Sequence, residues 1–325
     1  MTKKRVTIKD IARVANVTPQ TVSRAFRNAK DISEDTMQKI LKIATEMGYV
    51  KNSSATSLRG GASKLIAIIY DNLMNSYFSI IIHYLQIALK EKGYSIMAVS
   101  VPDTHLKENN YLSVLEYNVD AIISFLELSE EIHSLIKRYN VPVLVLGRKV
   151  KEADVDCIYM DDISAGKIAA QKLIDSGCVR PLCINEALEI DCARDRYLGF
   201  KQQFEKQGIE VSLIANTLGN KLELEKPLVH SLENYAPDGI FCFNDMLAFE
   251  TLYIVEKNGY ATPKVIGADN IQQEIYFPKR LTTVGWDKEV MVRRATDMII
   301  NRINNPTQHA EHKVVKVFLV EGETA

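Results

Sequence analysis

From Leu65 onward, short apolar runs alternate with longer amphipathic stretches, and this alternation is the feature that limits the fold most. The apolar runs, each a predicted strand, are residues 65–70, 95–101, 121–126, 142–147, 157–160, 182–184, 212–216, 239–243 and 264–268. Helical patterns lie between most of them, for example at residues 77–92, 164–176, 194–207 and 247–258. Repeated strand–helix units predict parallel sheets covered by helices, and about ten strands suit two lobes better than one sheet.

Polar side chains follow most of the predicted strands. Parallel α/β sheets bind ligands outside the carboxyl ends of their strands, so these positions form the predicted ligand site. They carry carboxylates, amides and guanidinium groups, with two aromatic rings beside them: Asp71, Asn75, Tyr77, Phe78, Arg148, Asp191, Arg194, Asn244 and Asp269. Such groups hold hydroxyl-rich molecules, and a ring offers an apolar face for stacking. Taken singly, each is more often a helix cap or loop residue, but their recurrence favours a sugar-like ligand.

The charge of the chain is divided unevenly. Residues 1–64 carry 13 Lys and Arg against 5 Asp and Glu, whereas the remaining residues carry 27 against 36. The net charge of −1 therefore hides a basic N-terminal region and an acidic body. This asymmetry predicts a module that binds a polyanion, fused to a module that does not.

Three short helices are predicted in the basic region. Thr7 is the expected N-cap of the first helix, and Asn16 suits the left-handed turn that follows it. Thr18 is an N-cap followed by a proline at the first helical position, which predicts a second helix at residues 19–27. A third helix is expected over residues 33–48.

The predicted second helix carries side chains that can read DNA bases. Its inward positions are apolar, while Gln20, Thr21, Ser23 and Arg24 fall on exposed positions near its N-terminal end. Gln pairs bidentately with adenine and Arg with guanine, and Ser or Thr hydroxyls bond to bases or phosphates. Helix, short turn, helix and supporting helix is the layout of a helix-turn-helix DNA reader. The alternative is a small three-helix bundle with solvated polar residues.

Residues 52–59 form a further predicted element between the basic region and the body. They are long enough for only two helical turns, too few to be stable alone in water, and two glycines follow them. Leu58 is a large apolar side chain in a polar stretch, which fits a wedge in a DNA minor groove. A plain linker is the alternative.

These N-terminal motifs, in this order, resemble the lactose/galactose repressor family of bacterial transcription regulators. They are Thr-Ile-Lys-Asp-Ile-Ala at 7–12, Thr-Val-Ser-Arg at 21–24, Gly-Tyr at 48–49 and the segment 52–59. The resemblance implies that the second helix contacts operator DNA and that hinge helices of two subunits pair in the minor groove. The residues expected to contact DNA are Thr7, Thr18, Pro19, Gln20, Thr21, Ser23, Arg24, Asn28, Asn52, Ala55, Ser57 and Leu58.

The resemblance continues through the body. Asn-Ser-Tyr-Phe at 75–78, Arg-Asp-Arg-Tyr-Leu-Gly-Phe at 194–200, Phe-Asn-Asp at 243–245, Gly-Ala-Asp at 267–269 and Leu-Thr-Thr-Val at 281–284 are similar to family motifs. The family implies a periplasmic-binding-protein-like fold with Asn75, Phe78, Arg148, Arg194, Asn244 and Asp269 lining an effector cleft, where Arg194 clamps the ligand.

The expected architecture is an all-α helix-turn-helix head joined by a hinge helix to an α/β two-lobed periplasmic-binding-protein-like effector domain. Its expected boundaries are 1–50 for the head, 51–61 for the hinge and 62–325 for the effector domain. The lobes are expected at 62–157 with 287–313, and at 158–286 with the tail.

Catalysis has no support in the sequence. No glycine-rich phosphate loop follows the first strand, no Gly-x-Ser-x-Gly elbow occurs, and the six histidines do not cluster with cysteines. We therefore expect no enzyme activity, no cofactor and no metal, and interpret the five cysteines as buried apolar residues. A long apolar run and a leader are both missing, which predicts a cytoplasmic protein without membrane contact and argues against a transport-type binding protein.

The sequence thus predicts a homodimeric repressor that binds double-stranded operator DNA. A small polar effector, of the sugar or sugar-phosphate class, is expected to control its operator affinity. The alternative is a corepressor-dependent regulator or an activator that responds to a nucleobase or nucleoside.

Overall fold

The computed structural model describes residues 6–26, 29, 31–49, 62–72, 74–151, 154–216 and 223–325. The chain forms two compact units, Met1–Ser63 and Lys64–Ala325. The first unit, called the head below, contains the basic helices, and the second, called the body, contains the alternating strands and helices. Within the described ranges, none of the helices has the length and apolar composition of a membrane span.

The head contains helices α1 (Ile8–Ala15), α2 (Pro19–Ala25) and α3 (Glu34–Glu46). At each N-cap, a hydroxyl accepts the amide of the residue three positions later; the three caps are Thr7, Thr18 and Ser33. Asn16 has a φ of 58°, the left-handed turn that the sequence predicted. Helix α2 ends two residues before the predicted position 27, which lies outside the described residues.

A small apolar core holds the three helices together. It includes Ile11, Val22, Ala25 and Ile40, none of which has any exposed surface. Because Val22 and Ala25 of α2 both point into this core, the opposite face of α2 is turned away from the other helices.

Lobe 1 of the body begins with seven strands and three helices. In chain order these are β1 (Leu65–Tyr70), α4 (Ser76–Glu91), β2 (Ser95–Ser100), β3 (His105–Leu106), α5 (Glu108–Leu115), β4 (Ala121–Ser124), β5 (Glu127–Leu128), α6 (Glu130–Tyr139), β6 (Val143–Leu146) and β7 (Asp156–Met160).

Lobe 2 follows, and the chain then returns once to each lobe. Lobe 2 contains α7 (Asp162–Asp175), β8 (Pro181–Asn185), α8 (Asp191–Glu205), β9 (Ser212–Ala215), α9 (Glu225–Asn234), β10 (Gly239–Cys242), α10 (Asp245–Lys257), β11 (Lys264–Ala268), a 3₁₀ turn (Ile271–Gln273) and β12 (Thr282–Trp286). Helix α11 (Lys288–Asn304) and strand β13 (His312–Val315) then belong to lobe 1, and β14 (Val317–Val320) belongs to lobe 2.

Each lobe is a six-stranded sheet with helices on its faces. The strand orders are β13-β7-β6-β4-β1-β2 and β14-β12-β11-β10-β8-β9, while β3 and β5 form a separate short pair. The predicted parallel pairing is confirmed, with the exception that β14 runs antiparallel to β12. The nine predicted strands are present within a few residues of their expected ends, and the five cysteines are buried and unpaired.

Within the described residues of the body, the chain crosses between the lobes three times, at Asp161, Asp287 and Lys316. The second crossing lies where the sequence predicted it. The first comes four residues later than expected because β7 continues the lobe 1 sheet to Met160. The third comes after β13, which pairs with β7 as the sixth strand of lobe 1.

Helices α7 and α8 approach each other so closely that only glycine fits at two positions. A Cβ atom on Gly199 would lie 2.0 Å from the carbonyl oxygen of Ile163, and one on Gly166 would lie 2.0 Å from that of Arg196. This contact brings Arg196 of α8 beside Asp162 of α7, so the two glycines determine the geometry at the carboxyl end of lobe 2.

We predict that Gly199→Ala lowers the free energy of unfolding by about 2 kcal/mol or more, because the added methyl group must push two helix backbones apart. The direction of the change in stability is informative, since alanine in a helix interior ordinarily stabilises a helix by about 1 kcal/mol relative to glycine. Urea unfolding followed by circular dichroism measures the change. Gln202→Ala, at an exposed position of the same helix, serves as the control; equal stability of the Gly199 variant and wild type would contradict the close contact.

Candidate functional site

The first candidate site is the outer face of α2 in the head. Pro19, Gln20 and Arg24 are exposed there, while Thr21 and Ser23 are partly buried. The side chain of Arg24 forms an ion pair with Asp31, which precedes α3. This pairing holds the guanidinium on the surface of the head, where one carboxylate competes with any phosphate or base for it.

Two of the expected DNA contacts, Thr7 and Thr18, also cap helices. The hydroxyl of Thr7 donates to Asp10 Oδ2 at 2.6 Å within a capping box, and the hydroxyls of Thr18 and Thr21 lie 2.9 Å apart. Removing an N-cap costs about 1 kcal/mol, so these residues stabilise the helices whether or not they contact DNA. The remaining expected contacts lie outside the described residues: Asn28, Asn52, Ala55, Ser57 and Leu58.

The second candidate site is a cleft between the lobes, where the carboxyl ends of the two sheets face each other. Arg148 follows β6 of lobe 1, and its Nη1 donates to Sγ of Cys192 in lobe 2 at 2.7 Å. Glu127 of lobe 1 accepts the amide of Asp191 in lobe 2 at 3.2 Å. Lys149 of lobe 1 forms an ion pair with Asp195 of lobe 2. The lobes therefore meet through polar groups at the position that the strand order predicts for a ligand.

Arg196 lies at the centre of this cleft, with only 3 % of its surface exposed. Its Nε donates to Asp162 at 2.8 Å, and its Nη1 donates to the carbonyl of Phe243 at 2.6 Å. The same guanidinium lies 3.8 Å from Asp269 Oδ1 and over the rings of Phe243 and Trp286. Each of its partners lies at or beside the carboxyl end of a strand of lobe 2 or on α7.

Burial shifts the pKa values of the carboxyl groups around Arg196. Loss of solvent raises the pKa of Asp269 to about 7, although Arg196 and Lys288 act to lower it. Burial also raises the pKa of Asp162, again against the guanidinium of Arg196. Groups that titrate near neutral pH are typical of functional sites, because small changes in their surroundings change their charge.

Two aromatic residues supply the wall of the cleft nearest to lobe 1. Tyr77 is the second residue of α4, and its ring meets Trp286 edge-on at a centroid distance of 5.8 Å. The predicted Phe78 is as buried as Tyr77, and its ring packs 5.2 Å from Phe125 in the apolar core of lobe 1. Trp286 lies beside Arg196 and Tyr77 contacts Trp286, so both rings border the cleft, while the ring of Phe78 packs edge-on against Tyr77.

Several buried polar atoms here lack a hydrogen-bond partner within the described part of the chain. They are Asp71 Oδ1, the Tyr77 hydroxyl, Asn185 Oδ1 and the Trp286 indole nitrogen. Asp71 follows β1, Asn185 ends β8 and Trp286 ends β12, so three of the four stand at carboxyl ends of strands. Burial raises the pKa of Asp71, and Arg148 acts to lower it.

The two predicted asparagines cap helices that begin at the cleft. Asn75 Oδ1 accepts the amide of Tyr77 at 3.0 Å, and Asn244 Oδ1 accepts the amide of Leu247 at 2.8 Å. Their carbonyl oxygens are therefore used within the fold, which leaves the amide nitrogens as the groups that suit a ligand.

Arg194 and Asp191, both predicted, lie at the rim and form an ion pair with each other. The Arg194 side chain is 43 % exposed, in contrast to the buried Arg196 two positions later. The sequence interpretation chose the first arginine of the Arg-x-Arg motif; the structure gives the central position to the second. Gly199 in the sequence could have indicated the second arginine. Gly199 and Arg196 are three residues apart and lie on the same face of α8, and this face is buried.

Trp286 and Asp162 were also absent from the predicted set. Asp162 directly follows a predicted strand and could have been included on that ground. Trp286 is the last residue of a strand that has no apolar run in the sequence, so only the fold shows that it lies at the cleft.

A separate cavity of about 350 Å³ lies at the opposite edge of lobe 1. The charged residues that line it pair with each other: Arg302 with Asp156, and Lys137 with Asp154.

Asp245, beside the cleft, is fully buried. Its Oδ1 accepts the Thr283 hydroxyl at 2.5 Å, and its Oδ2 accepts the amide of Ile271 at 2.8 Å. Burial, with a contribution from the charge of Asp269, raises its pKa from 3.8 to about 8. Because the pKa is higher in the folded chain than in the unfolded chain, the free energy of unfolding falls as the pH rises from about 4 to about 8.

We predict that Asp245→Asn removes part of this pH dependence. The variant keeps an oxygen acceptor but carries no ionisable group, so its stability relative to wild type should increase between pH 5 and pH 8. Urea unfolding followed by Trp286 fluorescence at both pH values measures the difference. Asp175→Asn, on the exposed end of α7, controls for the loss of a carboxyl group. A constant difference between Asp245→Asn and wild type would show that the pKa of this carboxyl group is not raised by folding.

Comparison with known proteins places both parts of the chain in one family. Residues 7–52 match the family model for bacterial regulatory proteins of the lacI family, and residues 63–322 match that for periplasmic binding proteins and the sugar binding domain of the LacI family. The sucrose operon repressor of Streptococcus mutans is 30% identical over 98% of both chains. The repressor PurR of Vibrio campbellii is 27% identical over 98% of this chain and 96% of its own.

A solved structure with the same fold is the lac repressor dimer bound to operator and an anti-inducer. It has a TM-score of 0.82 and 20% identity, and the similarity covers 99% of each chain. The head, the two-lobed body and the cleft thus occur together in one known class of protein. The chain belongs to the LacI family of bacterial regulatory proteins: it is a DNA-binding transcriptional repressor and not an enzyme.

Proposed function

We propose that a small hydroxyl-rich effector, a sugar or sugar phosphate, binds in the cleft and controls the affinity of this repressor for its operator. The unpartnered polar atoms of Asp71, Tyr77 and Trp286 between the lobes carry this proposal. A buried polar group without a partner costs about 1–3 kcal/mol. Ligand hydroxyls recover this energy because each one both donates and accepts a hydrogen bond.

The mixed charge of the cleft supports the same class of ligand. Asp162 and Asp269 face Arg196 and Arg148, so a hydroxyl can bond to either sign of charge. The Trp286 ring supplies an apolar surface of the kind that stacks on a sugar ring. Similarity to a repressor named for a sucrose operon points in the same direction.

A nucleobase or nucleoside is the second candidate effector. The neighbouring rings of Tyr77, Phe125 and Trp286 favour it, because aromatic residues also border a flat heterocycle. Such a ligand would suit a corepressor, which strengthens operator binding, and the sign of the effect on DNA distinguishes it from an inducing sugar.

For the head, we propose that α2 lies in the DNA major groove. Gln20 and Arg24 would then reach base edges, while Thr18, Pro19, Thr21 and Ser23 lie against bases or the backbone. The exposure of Pro19, Gln20 and Arg24 supports this placement. Thr7, Asn28, Asn52, Ala55, Ser57 and Leu58 stay in the proposed set, with Leu58 as a minor-groove wedge.

We further propose a homodimer that acts in the cytoplasm, where bacterial operator DNA lies. Two heads on a twofold axis match the symmetry of paired half-sites. Lobe 2 presents exposed aromatic residues that suit such contact: Tyr276 is fully exposed and Tyr253 is 64 % exposed. Stacking of Phe249 on Phe277 at 3.9 Å places their two elements side by side.

The effector proposal predicts a change in Trp286 emission when the right compound binds. Trp286 is the only tryptophan of the chain and lies in the cleft, so the full-length protein can be titrated directly with sugars, sugar phosphates, nucleobases and nucleosides. Fluorescence anisotropy on DNA upstream of its own gene then tests whether the same compound releases or strengthens binding. A typical allosteric coupling of about 1–3 kcal/mol would change operator affinity about 5- to 150-fold.

Asp269→Asn should weaken the effect of that compound by about tenfold or more, since it removes a charged acceptor from the cleft. Asp175→Asn is the matched control outside the cleft. Retention of the full response by Asp269→Asn would remove Asp269 from the site. If no compound in the panel changes Trp286 emission or DNA binding, the proposed effector classes are wrong.

The dimer proposal predicts that Tyr276→Arg increases the monomer fraction in sedimentation velocity, because a charge in an apolar contact must lose its hydration. Tyr117→Arg, an exposed tyrosine of lobe 1, is the control. Identical sedimentation of both variants and wild type would place the dimer contact elsewhere.

A further inference from the structure

We infer that Lys288 is a positioning residue that ties the segment 269–274, called the coupling loop below, to lobe 1. The loop belongs to lobe 2 and carries Asp269 into the cleft. The inference rests on the proposed function of the cleft, and it adds a route by which a change at Asp269 reaches the helices of lobe 1.

The backbone of the coupling loop is strained and therefore needs support. Asp269 has a φ of 107°, a strained conformation for a residue other than glycine, whereas Asn270 has a φ of 48°, a left-handed conformation that asparagine tolerates. A conformation such as that of Asp269 costs about 1–3 kcal/mol and persists where the surroundings hold it. In lobe 2, the amide of Asp269 donates to Val284 at 3.0 Å and that of Ile271 donates to the buried Asp245 at 2.8 Å.

The same loop is also anchored in lobe 1. Ile271 has no exposed surface and belongs to the apolar core of lobe 1, together with Tyr77 and Met291. The hydroxyl of Tyr84, on α4, donates to Glu274 at 3.3 Å. A short segment of lobe 2 thus contacts both the core and the surface of lobe 1.

Lys288 of α11 also binds the coupling loop. It is the first residue of α11, directly after the crossing at Asp287, and its side chain is only 2 % exposed. Its ammonium group donates to the carbonyl of Asn270 at 2.8 Å and lies 3.4 Å from Glu274 Oε2. An ammonium group that is buried this deeply requires such partners. Because α11 packs on α4 and on strands of lobe 1, Lys288 links the coupling loop to the interior of lobe 1.

The charge of Lys288 also reaches Asp269. It acts to lower the pKa of Asp269, as do Arg196 and Arg148, whereas Asp162 acts to raise it. An effector that bonds to Asp269 therefore changes the electrostatic surroundings of Lys288, and the reverse holds as well.

The test compares Lys288→Met with wild type in the full-length chain without any added compound. Methionine keeps the length of the side chain but cannot hold the Asn270 carbonyl, so amide hydrogen exchange over residues 269–275 should become about tenfold faster or more. Lys288→Arg, which keeps the cation, should restore most of the protection. Arg293→Met removes a cation from the exposed part of the same helix and is the control.

A second readout separates positioning from general stability. The pH midpoint of Trp286 emission should shift upward in Lys288→Met and return with Lys288→Arg, because the cation lowers the pKa of Asp269. If Lys288→Met does not fold, Glu274→Gln tests the same ion pair by exchange over residues 269–275.

Unchanged exchange in the loop, or equal acceleration throughout α11 and lobe 1, would overturn the inference. Neither readout uses an effector. A sugar panel that gives no response therefore contradicts the proposed function alone, and normal exchange in Lys288→Met contradicts only the role of Lys288.

Discussion

The body depends on one buried guanidinium. Arg196 has almost no solvent contact, and a charge in that position is stable only when its partners replace water. Asp162, the Phe243 carbonyl and Asp269 do so, from three different elements. The close packing of α7 on α8, which Gly166 and Gly199 permit, sets the distance between Arg196 and Asp162. These contacts hold α7 and the ends of two lobe 2 strands together at the cleft.

Because of the chain topology, residues of both lobes line the cleft. Three crossings place the carboxyl ends of both sheets opposite each other, so residues of lobe 1 such as Arg148 meet residues of lobe 2 such as Cys192. A ligand that contacts both sets has a different affinity for each arrangement of the lobes, and this difference is what shifts a conformational equilibrium. The coupling loop and Lys288 are well placed for such a shift, since they connect the lobes at the second crossing.

Prediction from the sequence succeeded where local chemistry decides. The nine strands, the N-caps Thr7 and Thr18, and the left-handed Asn16 follow from apolar runs, hydroxyl caps and the steric tolerance of asparagine. It failed where burial depends on partners far away in the chain. Strand β12, Thr-Thr-Val-Gly-Trp, has no apolar run, because its threonines are buried through hydrogen bonds such as that from Thr283 to Asp245.

The sequence by itself determined the class of the protein, the alternation of strands and helices, the basic head and the strand ends that would carry polar groups. Those features depend on interactions between residues close together in sequence, so they can be predicted from the sequence pattern alone. Only the tertiary structure decided which groups meet: that Arg196, and not Arg194, occupies the centre of the cleft, that Trp286 faces it, and that Lys288 reaches Asn270. These choices depend on helix packing and on the crossings between lobes, which join residues that are distant in sequence.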